Sequence, residues 1–137
     1  MSRATVRVVA AALTRIAAGG SAQVLIAQRP PGSWQAGRWE FPGGKVEPAE
    51  ADEAAVHREL REELGISVLK AIPVDVFTHS YPDRSVEIAL WVVPAFAGEP
   101  LGLDGQALRW VSPAELSECD LLEADLPMIA PLLRALE

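Results

Sequence analysis

A single cysteine, Cys119, stands among the 137 residues, so no internal disulfide can form. One thiol with no histidine motif beside it reads as structural rather than nucleophilic. Long apolar runs are also missing. The longest near the start, Val8 to Leu13, is too short to span a bilayer and has no signal-peptide pattern, which leads to the expectation of a cytoplasmic protein without a membrane segment. Positive charge is scarce, with 12 Lys and Arg against 19 Asp and Glu and a net charge of −7. That balance argues against a broad duplex-DNA surface, whose affinity rests on cations that neutralise phosphates. No repeat, low-complexity tract or long linker is visible. With 50% hydrophobic residues, the chain is of ordinary one-domain size and can bury a sizeable core; one domain over 1–137 is expected.

Against these absences, the run Gly44 to Ile66 is dense in information. Residues three and four apart share a helix face, so Glu59, Glu62 and Glu63 are expected to converge. Like charges at that spacing destabilise an isolated helix by roughly 0.2 to 0.5 kcal/mol per pair, and something positive should sit there. An all-oxygen donor set without His or Cys suits Mg²⁺ or Mn²⁺ better than zinc. Such ions usually bind through one or two carboxylates together with substrate phosphates, which points to a polyphosphate substrate. An acidic protein has a further need of divalent cations, because they offset the repulsion between a triphosphate and clustered glutamates.

The rest of the run supports that face. Glu50, Asp52 and Glu53 are placed in the first helical turn, where they complement the macrodipole. Val56, Leu60 and Leu64 form the opposite, buried stripe, and Gly65 stands where a glycine ends a helix. Arg58 can pair with Glu50 or a ligand glutamate and fix its orientation. Before the helix, the paired glycines of Phe41-Pro42-Gly43-Gly44-Lys45 can turn sharply and bring a carbonyl near a cation. Glu- and Arg-rich helices are commonly just solvated faces. Seven identities at fixed spacing, however, come by chance on the order of 10⁻⁹ per starting position when each residue type has roughly 5 to 7% usage.

Coarser patterns give strands at Thr5 to Leu13, Gln23 to Gln28, Ser85 to Phe96 and Ala107 to Val111, with Val68 to Thr78 one bent strand or two around Pro73. Ser112-Pro113-Ala114-Glu115 has the form of a capping box with proline at the first helical position. A last helix is expected from about Leu126 to Leu136, with Pro127 near its start and Pro131 a candidate irregularity. The elements fit an α/β layer fold.

From Gly44 to Ile66 the chain matches, at every constrained position, the Nudix box G-x5-E-x7-R-E-U-x-E-E-x-G-U, where U is aliphatic, and it is identified as a member of the Nudix family. The resemblance implies an α/β/α sandwich with a central mixed sheet and a loop-helix-loop catalytic motif. Beyond the box, Trp39 to Lys45, Tyr81-Pro82-Asp83-Arg84, Gly98-Glu99-Pro100 and Gly105-Gln106 resemble the MutT-type branch over nearly the full chain. That branch hydrolyses damaged or surplus nucleoside triphosphates to monophosphate and pyrophosphate.

Carried over by position, the resemblance makes Glu59, Glu62 and Glu63 metal ligands with a backbone carbonyl of Gly43 or Gly44, and Arg58 a member of the catalytic set. The position of Glu59 is also that of a general base. Asp104 falls where the branch has an extra acidic residue, usually Glu; it is read as a ligand or as a surface aspartate in a Gly-rich turn. Arg29 and Lys45 match positions near the phosphates, and Arg29 otherwise reads as a charge at a strand end. His57 and His79 are alternative bases, with structural or solvent-facing roles the commoner reading. The mechanism implied is metal-assisted displacement at phosphorus, at the β-phosphorus for this branch.

Phe41 and Tyr81, with Arg84 in the same turn, match the base pocket of the branch, and either ring could equally be core. Asp125 stands where 8-oxo-guanine-selective members have Asn. An amide both donates and accepts, whereas an ionised Asp only accepts, which suits an exocyclic amino group such as cytosine N4. Ala27-Gln28-Arg29-Pro30, Gln35-Ala36-Gly37 and Ala124-Asp125 also resemble the CTP pyrophosphohydrolases. Asp125 could instead cap the last helix. Two substrate readings therefore stand, 8-oxo-dGTP or a similar oxidised purine, and CTP or a 5-modified pyrimidine nucleotide. A non-catalytic nucleotide- or damaged-base-binding module and a hydrolase of another diphosphate are the remaining readings, the first disfavoured by the complete set of glutamates. The expected partner is a small-molecule nucleotide, with the protein a monomer or homodimer.

Overall fold

The computed structural model describes residues 4–137. In chain order its strands and helices are β1 (Ala4–Ile16), β2 (Ala22–Gln28), β3 (Trp39–Glu40), β4 (Gly43–Lys45), α1 (Asp52–Leu64), β5 (Ser67–Ser80), β6 (Arg84–Ala97), β7 (Leu108–Val111) and α2 (Ile129–Ala135). Two 3₁₀ turns, Pro113–Glu118 and Glu123–Met128, lie between β7 and α2.

The apolar run near the start becomes the centre of the sheet. Val9 to Leu13 are buried without a break, as expected of a strand covered on both faces. Alternate residues point to opposite faces. Val9, Ala11 and Leu13 pack with Ala55, Val56, Leu60 and Leu64 of α1, while Ala10 and Ala12 pack with Leu116, Met128 and Leu132 on the other side. The result is the expected α/β/α sandwich with a mixed sheet of order β3-β2-β1-β6-β5. β1 runs parallel to β6 from Ala4↔Arg84 to Leu13↔Val93. Its other edge takes β4 antiparallel at Val8 to Ala10 and then β2 at Thr14 to Ile16. β7 and β3 both pair with β2.

Several local expectations need correction. Glu50 is not in the first helical turn: α1 begins at Asp52 after Ala51, and Glu50 lies before it, its Oε1 accepting the Glu47 N–H at 3.0 Å. The glycines of the approach do more than turn, since Gly43 to Lys45 form a ladder with β1. Of the two readings of Val68 to Thr78, the single strand holds: it lies within β5, with register shifts between Val68 and Lys70, Lys70 and Ile72, and Pro73 and Asp75. The Ser112–Glu115 capping box is present but starts a 3₁₀ turn. The last α-helix starts at Ile129, not Leu126, and the residues before it form the second 3₁₀ turn. Pro131 explains the boundary. It has no N–H to donate to the carbonyl four residues back, so an α ladder cannot run through it, but as the third residue of α2 it loses nothing. Gly65 ends α1 as expected, at φ 70°, its N–H donating to the Arg61 carbonyl at 3.0 Å. No helix among the described residues is long and apolar enough to cross a membrane.

Candidate active site

Helix α1 is seated by Leu60 and Leu64, both fully buried, and this turns Glu59 and Glu63 toward β4. Glycine is what lets the two pack so closely. A Cβ on Gly44 would stand 2.4 Å from the Glu59 carboxyl carbon, and one on Gly43 would stand 1.9 Å from the Val9 carbonyl oxygen. Two bare backbone residues thus lie directly against the acidic face of the helix.

Arg58 organises the near side of that face. Its Nε and Nη2 donate to the two Glu50 carboxylate oxygens at 2.8 and 2.9 Å, and Nη2 also donates to the Lys45 carbonyl at 2.9 Å. Nη1 reaches Glu59 at 2.9 Å and Glu62 at 3.3 Å. The bidentate bond holds the Glu50 carboxyl well below the usual range, at about 2, with help from the Glu47 N–H, and holds the Arg58 guanidinium firmly charged. One arginine therefore ties the loop, β4 and α1 together and orients three carboxylates.

The three helix glutamates do not close on one point as their spacing suggested. Glu59 and the largely exposed Glu62 turn to Arg58, whereas Glu63 turns toward Gly43. Burial, then the charges of Glu59 and Glu40, push the Glu63 carboxyl up to about 8, against the pull of the Gly43 N–H; Asp104 adds a smaller push. Burial likewise raises Glu59, with Arg58 opposing. Among the described residues no group of three or more His, Cys, Asp or Glu side chains is assembled to hold a metal ion. The donor set nonetheless fits one in kind. It is all oxygen, it crowds negative charge beside carbonyl-bearing glycines that leave no Cβ in the way, and a long, exposed Glu62 is free to reorient. A hard divalent cation would satisfy that excess.

Beside this face opens a cavity of about 270 Å³ that runs from Glu63, Gly43 and Gly44 to Phe41, Tyr81 and Asp125. Asp125 is 7% exposed and sits inside the Glu123–Met128 turn. It caps no helix: its Oδ2 accepts the Phe41 N–H at 3.0 Å across the molecule. Burial pushes its carboxyl up to about 7, with the Phe41 N–H opposing and the Glu40 charge adding to the rise. Phe41 proves to be both core and cavity wall. The Tyr81 ring packs edge-on to His79 at 4.6 Å, and the Arg84 guanidinium lies 4.8 Å from its centre while pairing with Asp83. Arg84 is therefore outside the cavity and acts on its wall.

Arg29 lines this cavity and a neighbouring one of about 180 Å³, which also holds Glu63, Asp104 and Gln106. Asp104 is exposed, its N–H donating to Gln106 Oε1 at 2.9 Å. Lys45 is exposed and lines neither cavity; its carbonyl, not its ammonium, is engaged. His57 faces a broad depression on the outer side of α1.

Two residues escaped the sequence reading. Glu40, on β3, pairs with Arg29 at 3.3 Å and lines both cavities; burial raises its carboxyl despite that arginine. A lone charge between Trp39 and Phe41, in a stretch leading to paired glycines, was the available signal. Trp34 also lines the larger cavity, and nothing in its Gly-, Pro- and Ser-rich surroundings marked it.

A family model of the NUDIX domain matches residues 13–130. The chain belongs to the NUDIX family. A CTP pyrophosphohydrolase of Escherichia coli K12 is 42% identical over 124 residues, covering 90% of this chain and 88% of its own length. An 8-oxo-dGTP diphosphatase of the same organism is 38% identical over 112 residues, covering 82% and 87%. A solved MutT structure, from work on Aliivibrio salmonicida and Vibrio cholerae, superposes with a TM-score of 0.79 at 34% identity, covering 96% of this chain and 98% of its own. Within the family the chain is a hydrolase of the MutT type, acting on phosphoric anhydrides.

Proposed function

We propose that the chain is a Mg²⁺-dependent nucleoside triphosphate pyrophosphohydrolase that converts a modified (deoxy)nucleoside triphosphate such as 8-oxo-dGTP to the monophosphate and pyrophosphate, clearing it from the nucleotide pool before DNA replication. The observation that carries this reading is the continuous cavity from Asp125 to Glu63 and the paired glycines. A nucleotide laid along it has its base at the carboxyl of Asp125 and its phosphates at the acidic face of α1. The names of the two relatives support the same reaction class.

Glu59, Glu62, Glu63 and a carbonyl of Gly43 or Gly44 would hold the cation, with Asp104 close by, and Mn²⁺ would serve by the same oxygen chemistry. A bound divalent cation lowers the pKa of its water, orients the nucleophile and offsets charge on the leaving group. The chain's own part is to present carboxylates fixed by Arg58, one of which accepts the proton of the attacking water, and to set Arg29 where the cavities meet to steady the phosphates. Attack at the β-phosphorus releases the nucleoside monophosphate. The enzyme would act as one domain over 1–137, in the cytoplasm, as a monomer or homodimer.

A second substrate, CTP or a 5-modified pyrimidine nucleotide, is supported by the 42% identity to a CTP pyrophosphohydrolase and is compatible with Asp125. A carboxyl that titrates near 7 donates to a purine O6 when protonated and accepts from an exocyclic amino group when ionised. A Mg²⁺-dependent hydrolysis panel over normal and modified triphosphates, compared by kcat/KM, tests both readings. Absence of triphosphate hydrolysis across the panel sinks them together.

A further inference from the structure

Trp34 is a large ring left 52% exposed in the loop between β2 and β3, and it belongs to neither apolar cluster of the core. Local bonds hold its loop in place. Ser33 Oγ donates to the Pro30 carbonyl at 2.6 Å, and the Gly37 N–H closes on the Arg29 carbonyl at 3.1 Å. Gly32, Gln35 and Gly37 take positive φ values of 84°, 58° and 89°, so the chain reverses sharply on both sides of the tryptophan. Gln35 adopts that conformation without the freedom of a glycine. The outcome is an indole that forms a wall of the larger cavity. It meets Tyr81 edge to face, with ring centres 5.8 Å apart and planes at 80°, and the Arg29 guanidinium lies 5.8 Å from the centre of the ring.

An apolar ring that is half in water and half against a cavity has a face to give to a ligand. The same cavity is lined by Gly43 and Gly44, against which the phosphates are proposed to lie, and by the buried Asp125, so a planar heteroaromatic base is the part of a ligand that would meet the indole. We infer that Trp34 contacts the nucleobase at the outer side of the cavity, paired with Tyr81, and supplies binding common to all bases while Asp125 chooses among them. The inference rests on the nucleotide reading above. Stacking on an aromatic face is tolerant of base identity, which separates the two roles experimentally. The Trp34 backbone carbonyl, not its ring, accepts the Arg29 Nε–H, so removing the ring leaves the anchor of the loop.

The test compares wild type, W34A, W34F and W34L in Mg²⁺, with one purine and one pyrimidine triphosphate as substrates. Tryptophan fluorescence is read on adding the matching monophosphates. W34A should raise KM for both substrates about tenfold or more, with kcat held within about twofold and the purine-to-pyrimidine ratio of kcat/KM unchanged. W34F should recover most of the loss and W34L little of it. Quenching by monophosphate should occur in wild type and disappear in W34A, although Trp39, Trp91 and Trp110 remain. An unchanged KM in W34A, or a W34L equal to wild type, overturns the role of Trp34 and leaves the functional reading standing. A wild type that hydrolyses no nucleotide overturns the functional reading and this inference with it.

Discussion

The two ends of the cavity both hold carboxyls lifted above their ordinary range chiefly by burial, and they differ in the charges that surround them. At the helix end, Glu63 is pushed up by burial and by the charges of Glu59, Glu40 and Asp104. At the base end, Asp125 is raised by burial alone apart from one neighbouring charge, Glu40. A crowd of like charges is relieved by a cation, whereas a solitary buried carboxyl is relieved by a proton. The helix end should therefore answer to metal and the base end to pH.

That contrast can be broken or sharpened by experiment. The largest effect is expected at the helix end, where chelation should abolish turnover and E62Q should lower kcat by on the order of a hundredfold or more with the fold intact. Near-normal hydrolysis by E62Q, measured by pyrophosphate release, would remove the metal site from the glutamate face. G44A comes next. Its added methyl would displace the Glu59 carboxylate, and a ligand moved by about 1 Å can cost on the order of a hundredfold in rate, to be read as a fall in kcat. R58K cannot reproduce the bond pattern to Glu50 and Lys45. A loss of roughly ten- to a hundredfold in metal affinity is expected for such an orienting group, and metal titration followed by calorimetry checks it.

Smaller effects belong to the base end. D125N should move kcat/KM from amino-bearing bases toward 8-oxo-guanine by roughly tenfold and flatten the pH dependence of that preference. An unchanged substrate profile would confine Asp125 to bonding the Phe41 N–H. Stability should shift in a defined direction. The folded chain holds the Asp125 proton up to about 7 against an ordinary 3.8, so it binds that proton more tightly than the unfolded chain. This contribution is whole below the ordinary value and is lost as pH rises through about 7. The melting temperature of D125N relative to wild type, both in chelator, should therefore rise by a few degrees across that window and then level off. A difference independent of pH would contradict the raised proton affinity.

The helix end was legible because its determinants lie within one segment. Arg58, Glu59, Glu62 and Glu63 share α1 and Gly65 ends it, as the helical period put them, although Glu63 turns to Gly43 and not, like Glu59 and Glu62, to Arg58. Glu50 was misplaced because the helix starts only at Asp52, and the carboxylate is held ahead of it by the Glu47 N–H and Arg58. The base end is assembled from β3, the Tyr81 turn and the Glu123–Met128 turn, and no local pattern fixes the register that joins Phe41 to Asp125. Asp125 could be named from the resemblance, but its burial inside a 3₁₀ turn could not. Glu40 and Trp34 acquire their importance only when β3 is laid beside β2 and the intervening loop folds inward. The layered fold was legible for a different reason: Thr5 to Leu13 read as a strand among alternating elements, and the structure covers Val9 to Leu13 on both faces.

One consequence of β5 lies outside the site. It is the outermost strand beyond β6, it exposes Leu69, Ile72 and Val76, and its register slips three times along its length. A regular edge of such composition would invite another chain to add itself strand by strand. Here each slip breaks the spacing of donors and acceptors, and Lys70, Pro73 and Asp75 stand at the breaks, so the edge gives no even row to copy. The irregularity that read from the sequence as one bent strand or two serves to keep the sheet finite.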